Sequence, residues 1–115
     1  GNEMTFTVID IDGSISSVFG IAPQQLYSNS RLQEVSDARA LAIFTRVKIC
    51  NMNIRQASTL YKRDHASGHW NIRKVETMIE TDKAFKSKAM FALELIRQEK
   101  EKNSQEPILD PLFFW

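Results

Sequence analysis

The chain has one cysteine, Cys50, in 115 residues, so no intramolecular disulfide can hold it together. A lone thiol fits a reducing compartment, and a cytoplasmic protein is expected. No apolar run approaches the roughly 20 residues of a membrane span, and no signal peptide is visible, so no membrane partner is expected. Three prolines and four glycines are scattered without repeats or low-complexity tracts. The opening GNEM reads as an expression remnant, and the natural protein is expected to begin earlier. What remains, 43% hydrophobic and 25% charged, fits one compact soluble domain over 1–115. Its core is expected over about 7–102, followed by a tail at 103–115.

Net charge is also lacking, at +1, but its distribution is uneven. Residues 1–30 carry Glu3, Asp10 and Asp12 with no lysine or arginine. Residues 31–74 carry nine basic residues against Glu34, Asp37 and Asp64. Residues 75–115 turn slightly acidic again, with six basic residues against eight acidic. A basic middle between acidic ends is the footprint of a polyanion site, although a solvated charged surface would look the same from charge alone.

The stretch FTVIDIDGSI invites a misreading. It looks like the Asp-x-Asp-Gly motif that ends a strand in haloacid-dehalogenase-type phosphatases, with Asp10 as nucleophile and Asp12 as acid/base. Those enzymes need a parallel-sheet domain larger than this chain, and no convincing strand follows residue 20. Val8, Ile11, Ile15, Val18 and Phe19 instead recur at helical spacing, with Thr7 and Asp10 placed as a capping pair. A helix from about Thr7 to Phe19 is predicted, despite roughly 1 kcal/mol lost at Gly13. No enzyme activity, cofactor or small-molecule substrate is expected.

Gly20 ends that helix and Pro23 opens a short turn, PQQLY. After the polar loop SNSRLQ (28–33), a long helix is predicted over Glu34–Cys50, with Val35, Ala38, Leu41, Ala42 and Ile49 on one face. Asn53 is placed to cap a helix over 53–61, and a tight turn at Lys62–Arg63 leads to a helix over 64–82 capped by Asp64. Ile72, Val75 and Ile79 form the apolar stripe of that helix, with Trp70 expected in the core. A last helix near Lys86–Lys102 places Phe85, Ala89, Ala92, Leu93 and Ile96 together. The apolar tail EPILDPLFFW, broken by Pro107 and Pro111, is expected to pack back on the domain or to dock on a protein partner. The fold class is therefore all-α, a bundle of about five to six helices containing a helix-turn-helix at 53–82.

Both histidines, His65 and His69, lie in KRDHASGHW. Four apart on a helix they share a face and could chelate a metal, but HASGH lacks the glutamate of the zincin motif and Cys50 has no partner cysteine. No metal site is expected. Ser67 does not by itself make a histidine catalytic, and no Gly-rich phosphate loop occurs. Position offers a third reading: Lys62, Arg63, His65 and Ser67 open the second helix of a helix-turn-helix, where backbone N–H groups attract phosphate and short side chains reach base edges.

At this point the order of features resembles the C-terminal DNA-binding domain, domain IV, of the bacterial replication initiator DnaA, which is related to Trp-repressor-like domains. The resemblance runs from about Ile11 to Ile96. FGIAPQQLYSNSR is similar to that family's short helix and basic loop, and SDARALAIFTRVKI to its long helix. RDHASGHWNIRKVE resembles its Arg-Asp-His-Thr-Thr-Val stretch and the Lys-Ile-Glu that follows. Ala66 and Gly68 stand where the family has threonine and valine, Gly68 thereby removing a packing group, and SNSR carries a single arginine. Lys62 stands where glycine is common.

The resemblance implies double-stranded DNA as partner. Arg31 would enter the minor groove, and Arg63, Asp64, His65 and Ser67 would face bases in the major groove. Arg55, Lys62, Asn71 and Lys74 would hold phosphates, while Arg39 is expected to pair with Asp37 or the backbone of the basic loop. The family's ATP-binding domain has no counterpart in these residues, so a replication-related or regulatory DNA-binding role without ATPase activity is expected. The alternative is a protein-interaction module that keeps the fold without reading a sequence.

Overall fold

The computed structural model describes residues 10–102, which form five α-helices and a 3-10 turn, with no strand among the described residues. Helix α1 spans Ile11–Phe19, the 3-10 turn Pro23–Tyr27, and α2 Gln33–Lys48. Helix α3 spans Ile54–Leu60, α4 His65–Thr81 and α5 Lys83–Lys102. The all-α expectation holds, and the element order is the one the periodicity predicts. The tail 103–115, and the partner expected there, lie outside the described residues.

Among the described residues the first helix starts at Ile11. Asp10 is itself the N-cap, its carboxylate accepting from the Gly13 N–H at 2.8 Å. Thr7 lies outside the described residues. Gly20 closes the helix in the left-handed region, at φ 72°, where a side chain would be strained. Asn53 caps α3 as predicted, accepting from the N–H groups of Arg55 and Gln56. The last helix begins earlier than predicted because Asp82 accepts from the Phe85 N–H at 3.0 Å.

Helix α2 is the centre of the bundle, contacting α1, the 3-10 turn, α3 and α4. Residues 38–45 are buried without interruption, so Ala40, Ile43 and Phe44 join the single face that the spacing predicted. A helix covered on several sides carries apolar residues around most of its girth, here broken by Arg39 and Thr45, and its alanines let neighbours approach closely. Helix α5 lies across α1 and α4 and buries Phe85, Ala89, Ala92, Leu93 and Ile96, the predicted stripe. Trp70, expected in the core, is 59% exposed instead. Gly68, Asn71, Ile72 and Val75 face inward, which turns position 70 outward.

The Asp10–Gly13 motif is thus a helix start, and its second carboxylate has a structural task. Asp12 accepts hydrogen bonds from the hydroxyls of both Tyr27 and Tyr61. Arg46 donates to the Tyr61 hydroxyl through Nε at 2.6 Å and pairs with Asp12 at 3.5 Å. The two tyrosine rings stack with centroids 5.2 Å apart. One polar knot therefore joins α1, the 3-10 turn, α2 and the residue that ends α3. Burial, then the bond to Asp12, pushes the Tyr27 hydroxyl up to about 12 from its ordinary 10. Burial and the Asp12 charge push Tyr61 up as well.

A raised tyrosine pKa makes this contribution complete below pH 10, where folded and unfolded chains both hold the proton. As pH rises from 10 towards 12 the unfolded chain releases it first, and stability falls. Ultraviolet tyrosinate absorbance is expected to stay flat at pH 10 and to rise only as helical circular dichroism is lost. Ionisation at pH 10 in a fully helical chain would contradict the knot.

Candidate nucleic-acid interface

Helices α3 and α4 are joined by the four residues Tyr61, Lys62, Arg63 and Asp64. Lys62 takes φ 60°, the left-handed conformation that favours glycine. The Arg63 N–H donates to the Ser58 carbonyl at 2.8 Å, closing the turn onto the end of α3. Asp64 caps α4, its Oδ1 accepting from the Ser67 N–H at 2.7 Å. One turn later Gly68 is buried against α3. A Cβ built there would lie 1.9 Å from Ser58 Oγ, 3.2 Å from Ser58 Cβ and 3.3 Å from Ile54 Cγ1. At Gly68 the sequence predicts a lost packing group. The space is in fact filled from across the interface by the Ser58 side chain.

The loop between the 3-10 turn and α2 is held by two arginines, Arg39 from α2 and Arg63 from this turn. Arg39 donates to the carbonyls of Leu26 at 3.0 Å, Ser28 at 2.9 Å and Ser30 at 3.2 Å, the backbone role expected of it. Arg63 donates to the same Ser28 carbonyl at 2.9 Å. Burial, and then the nearby charge of Arg63, lower the pKa of Arg39. Arg31, on the same loop, is exposed. The arginine expected on bases at position 63 is therefore partly buried and engaged with the loop that carries Arg31.

The other expected site residues divide in the same way. Arg55, Lys62, Asp64 and His65 are exposed, although one Asp64 oxygen is committed to the cap. Ser67 is half-buried, and its carbonyl accepts from the Asn71 amide at 2.9 Å. Asn71 is 6% exposed, with that amide turned back along its own helix rather than out to solvent. Lys74 is half-buried, paired with Asp37 at 3.2 Å and bonded to Ser36 Oγ at 2.9 Å. Its ammonium also lies 5.3 Å from the centre of the exposed Trp70 ring. Lys74 thereby joins α4 to the start of α2.

Two residues not expected at a DNA contact complete the exposed row. His69 and Arg73 follow His65 at steps of four, so the three share one face of α4, and all are exposed. That spacing was itself the available signal. With Lys62 before them, they form a polar, cationic strip along the first turns of α4, beside a loop that presents Arg31. No cluster of three or more metal-binding side chains occurs among the described residues. No helix among them is long and apolar enough to cross a membrane.

No family model matches the chain. It is similar to chromosomal replication initiator proteins DnaA from several bacteria. To that of Thermosipho melanesiensis it is 29% identical over 66 residues, which is 57% of this chain and 15% of the relative. To that of Campylobacter jejuni it is 28% identical over 83 residues, 71% of this chain and 19% of the relative. The protein from Rickettsia akari is 29% identical over 82 residues, 70% of this chain and 18% of its own length. The chain thus spans less than a fifth of the curated relatives it matches, and the similarity supports a DnaA-related domain.

Proposed function

We propose that this domain binds double-stranded DNA, with α3, the turn 61–64 and α4 acting as a helix-turn-helix of the DnaA domain IV kind. The observation that carries the reading is the exposed row His65, His69 and Arg73 on one side of α4, with the exposed Lys62 in the turn before it and an arginine-bearing loop tethered to that turn. Helix α4 enters the major groove with His65 and the edge of Ser67 towards bases, and Arg31 enters the adjacent minor groove. Arg55, Lys62 and Arg73 hold phosphates, where charge matters and sequence does not. Arg63 serves the interface by fixing the loop, and Asp64 by capping the helix. Lys74 and Asn71, expected on phosphates, act inside the domain. The role is regulatory or replication-related, in the cytoplasm, with no nucleotide hydrolysis by these residues.

A gel shift of the protein on a random duplex library at stated salt tests this directly. His65→Ala is expected to cost roughly 1–3 kcal/mol on the selected site and little on random duplex, as for a base contact. Arg55→Ala is expected to weaken both alike and to make the salt dependence shallower. Equal losses from both variants on both duplexes would remove the assignment of roles.

A second reading, a protein-interaction module, draws on the exposed Trp70 and Leu32, 59% and 62% accessible. It predicts no selected duplex at all, and capture of a protein partner that Trp70→Ala abolishes.

A further inference from the structure

The two histidines of α4 do more than share a face. Their Nε2 atoms lie 3.1 Å apart, with ring centroids separated by 4.6 Å, and both side chains are exposed. In the free protein this contact needs one ring to donate and the other to accept, so the pair presents two nitrogens held at one point by the backbone of a capped helix. We propose that His65 and His69 form a two-point chelate for a borderline divalent transition cation, Zn²⁺, Ni²⁺ or Cu²⁺.

The spacing suits that chemistry. Metal–imidazole bonds run about 2.0–2.1 Å, and two such bonds from nitrogens 3.1 Å apart meet at about 100°, between the octahedral and tetrahedral angles. The donating ring must move its Nε2 proton to Nδ1, after which both rings tilt so that their lone pairs face the ion. Imidazole also selects these metals over calcium or magnesium, which prefer oxygen.

With only two protein ligands, water completes the coordination sphere. The cations Lys62, Arg63 and Arg73 and the positive end of α4 oppose the incoming charge. The site is therefore exchangeable and is not a structural metal centre. The consequence for DNA rests on the function proposed above. A bound ion occupies the Nε2 atoms of both rings, so metal loading removes His65 from base contact and weakens binding to a selected site.

Zinc chloride titrated into the whole chain at neutral pH, without DNA, tests the chelate by calorimetry and histidine-ring NMR. The ring signals of His65 and His69 are expected to shift together with one stoichiometric event. His65→Ala and His69→Ala should each weaken binding by roughly ten-fold or more, since each removes one of two ligands. Cys50→Ser should leave it unchanged. Unshifted ring signals, or binding that survives both histidine variants, would overturn the site. Adding zinc to the gel shift forms a separate arm: selected-site binding should fall in the wild-type protein and be indifferent to zinc in His69→Ala. Zinc binding without an effect on DNA would leave the chelate standing and remove its proposed consequence.

Discussion

Replacing Gly68 with valine, the residue found at the matching place in the DnaA motif, is expected to destabilise this protein by about 3 kcal/mol, the upper range for overpacking a close contact. Glycine inside an exposed helix would normally be the weaker choice, and Gly→Ala would gain roughly 1 kcal/mol. Here the added Cβ falls 1.9 Å from Ser58 Oγ, inside any tolerable contact. The hydroxyl is not free to swing away without cost, because it is fully buried and donates to the Ile54 carbonyl at 2.7 Å. Even Gly68→Ala should therefore be destabilising by about 1–2 kcal/mol.

The pair should be coupled. Ser58→Ala removes the clashing oxygen and leaves only the 3.2 Å approach of its Cβ. The double variant Ser58→Ala/Gly68→Ala is thus expected to be more stable than Gly68→Ala alone by at least about 1 kcal/mol, read from urea midpoints at constant slope. If Gly68→Ala stabilises the protein by its helix propensity, α3 and α4 do not approach as closely as described.

Asp12→Ala is expected to have a comparable effect, a loss of about 2–4 kcal/mol. Breaking a buried ion pair by removing one partner costs 3–5 kcal/mol, and that figure is reduced here because Asp12 and Arg46 retain 16% and 18% exposure. The loss goes beyond one ion pair. Two tyrosine hydroxyls lose their acceptor, and the charge of Arg46 loses the carboxylate that, with Tyr61, holds its pKa up against burial.

Asp10→Ala provides the internal comparison. Two residues away in the same motif, the Asp10 side chain caps a helix, which is worth about 1 kcal/mol. Thermal unfolding of the two variants should therefore separate them clearly, with Asp12→Ala the lower. Equal losses would mean that the tyrosine knot adds nothing to stability. The alkaline titration of Tyr27 and Tyr61 reports on the same knot through a different observable, and Asp12→Ala should lower the pH at which both ionise.

The pair of acidic residues also marks where reading the chain succeeds and where it stops. Helices, their order and most of their ends were legible because the forces that set them act within a few residues. Asn53, Asp64 and Gly20 cap or close helices through their immediate neighbours. The inward stripe of α5 follows from a period of 3.6. The same local logic excluded a phosphatase strand at Asp10–Gly13 and placed an exposed His65 at the start of α4.

What could not be read depends on residues far apart in the chain. Tyr27, Arg46 and Tyr61 reach Asp12 from 15, 34 and 49 positions away. Arg63 finds the Ser28 carbonyl across 35 residues, and Lys74 finds Ser36 across 38. Neither partner could be read from the spacing of the two cations. Trp70 looked apolar enough for the core, yet the burial of Asn71 and Ile72 turned it out to solvent. Sequence periodicity determines which side of a helix is apolar, because that depends on spacing alone. Only the tertiary structure decides which polar groups on the other side are spent inside the molecule and which remain free to meet a partner, because each must first be weighed against every acceptor the fold brings within reach.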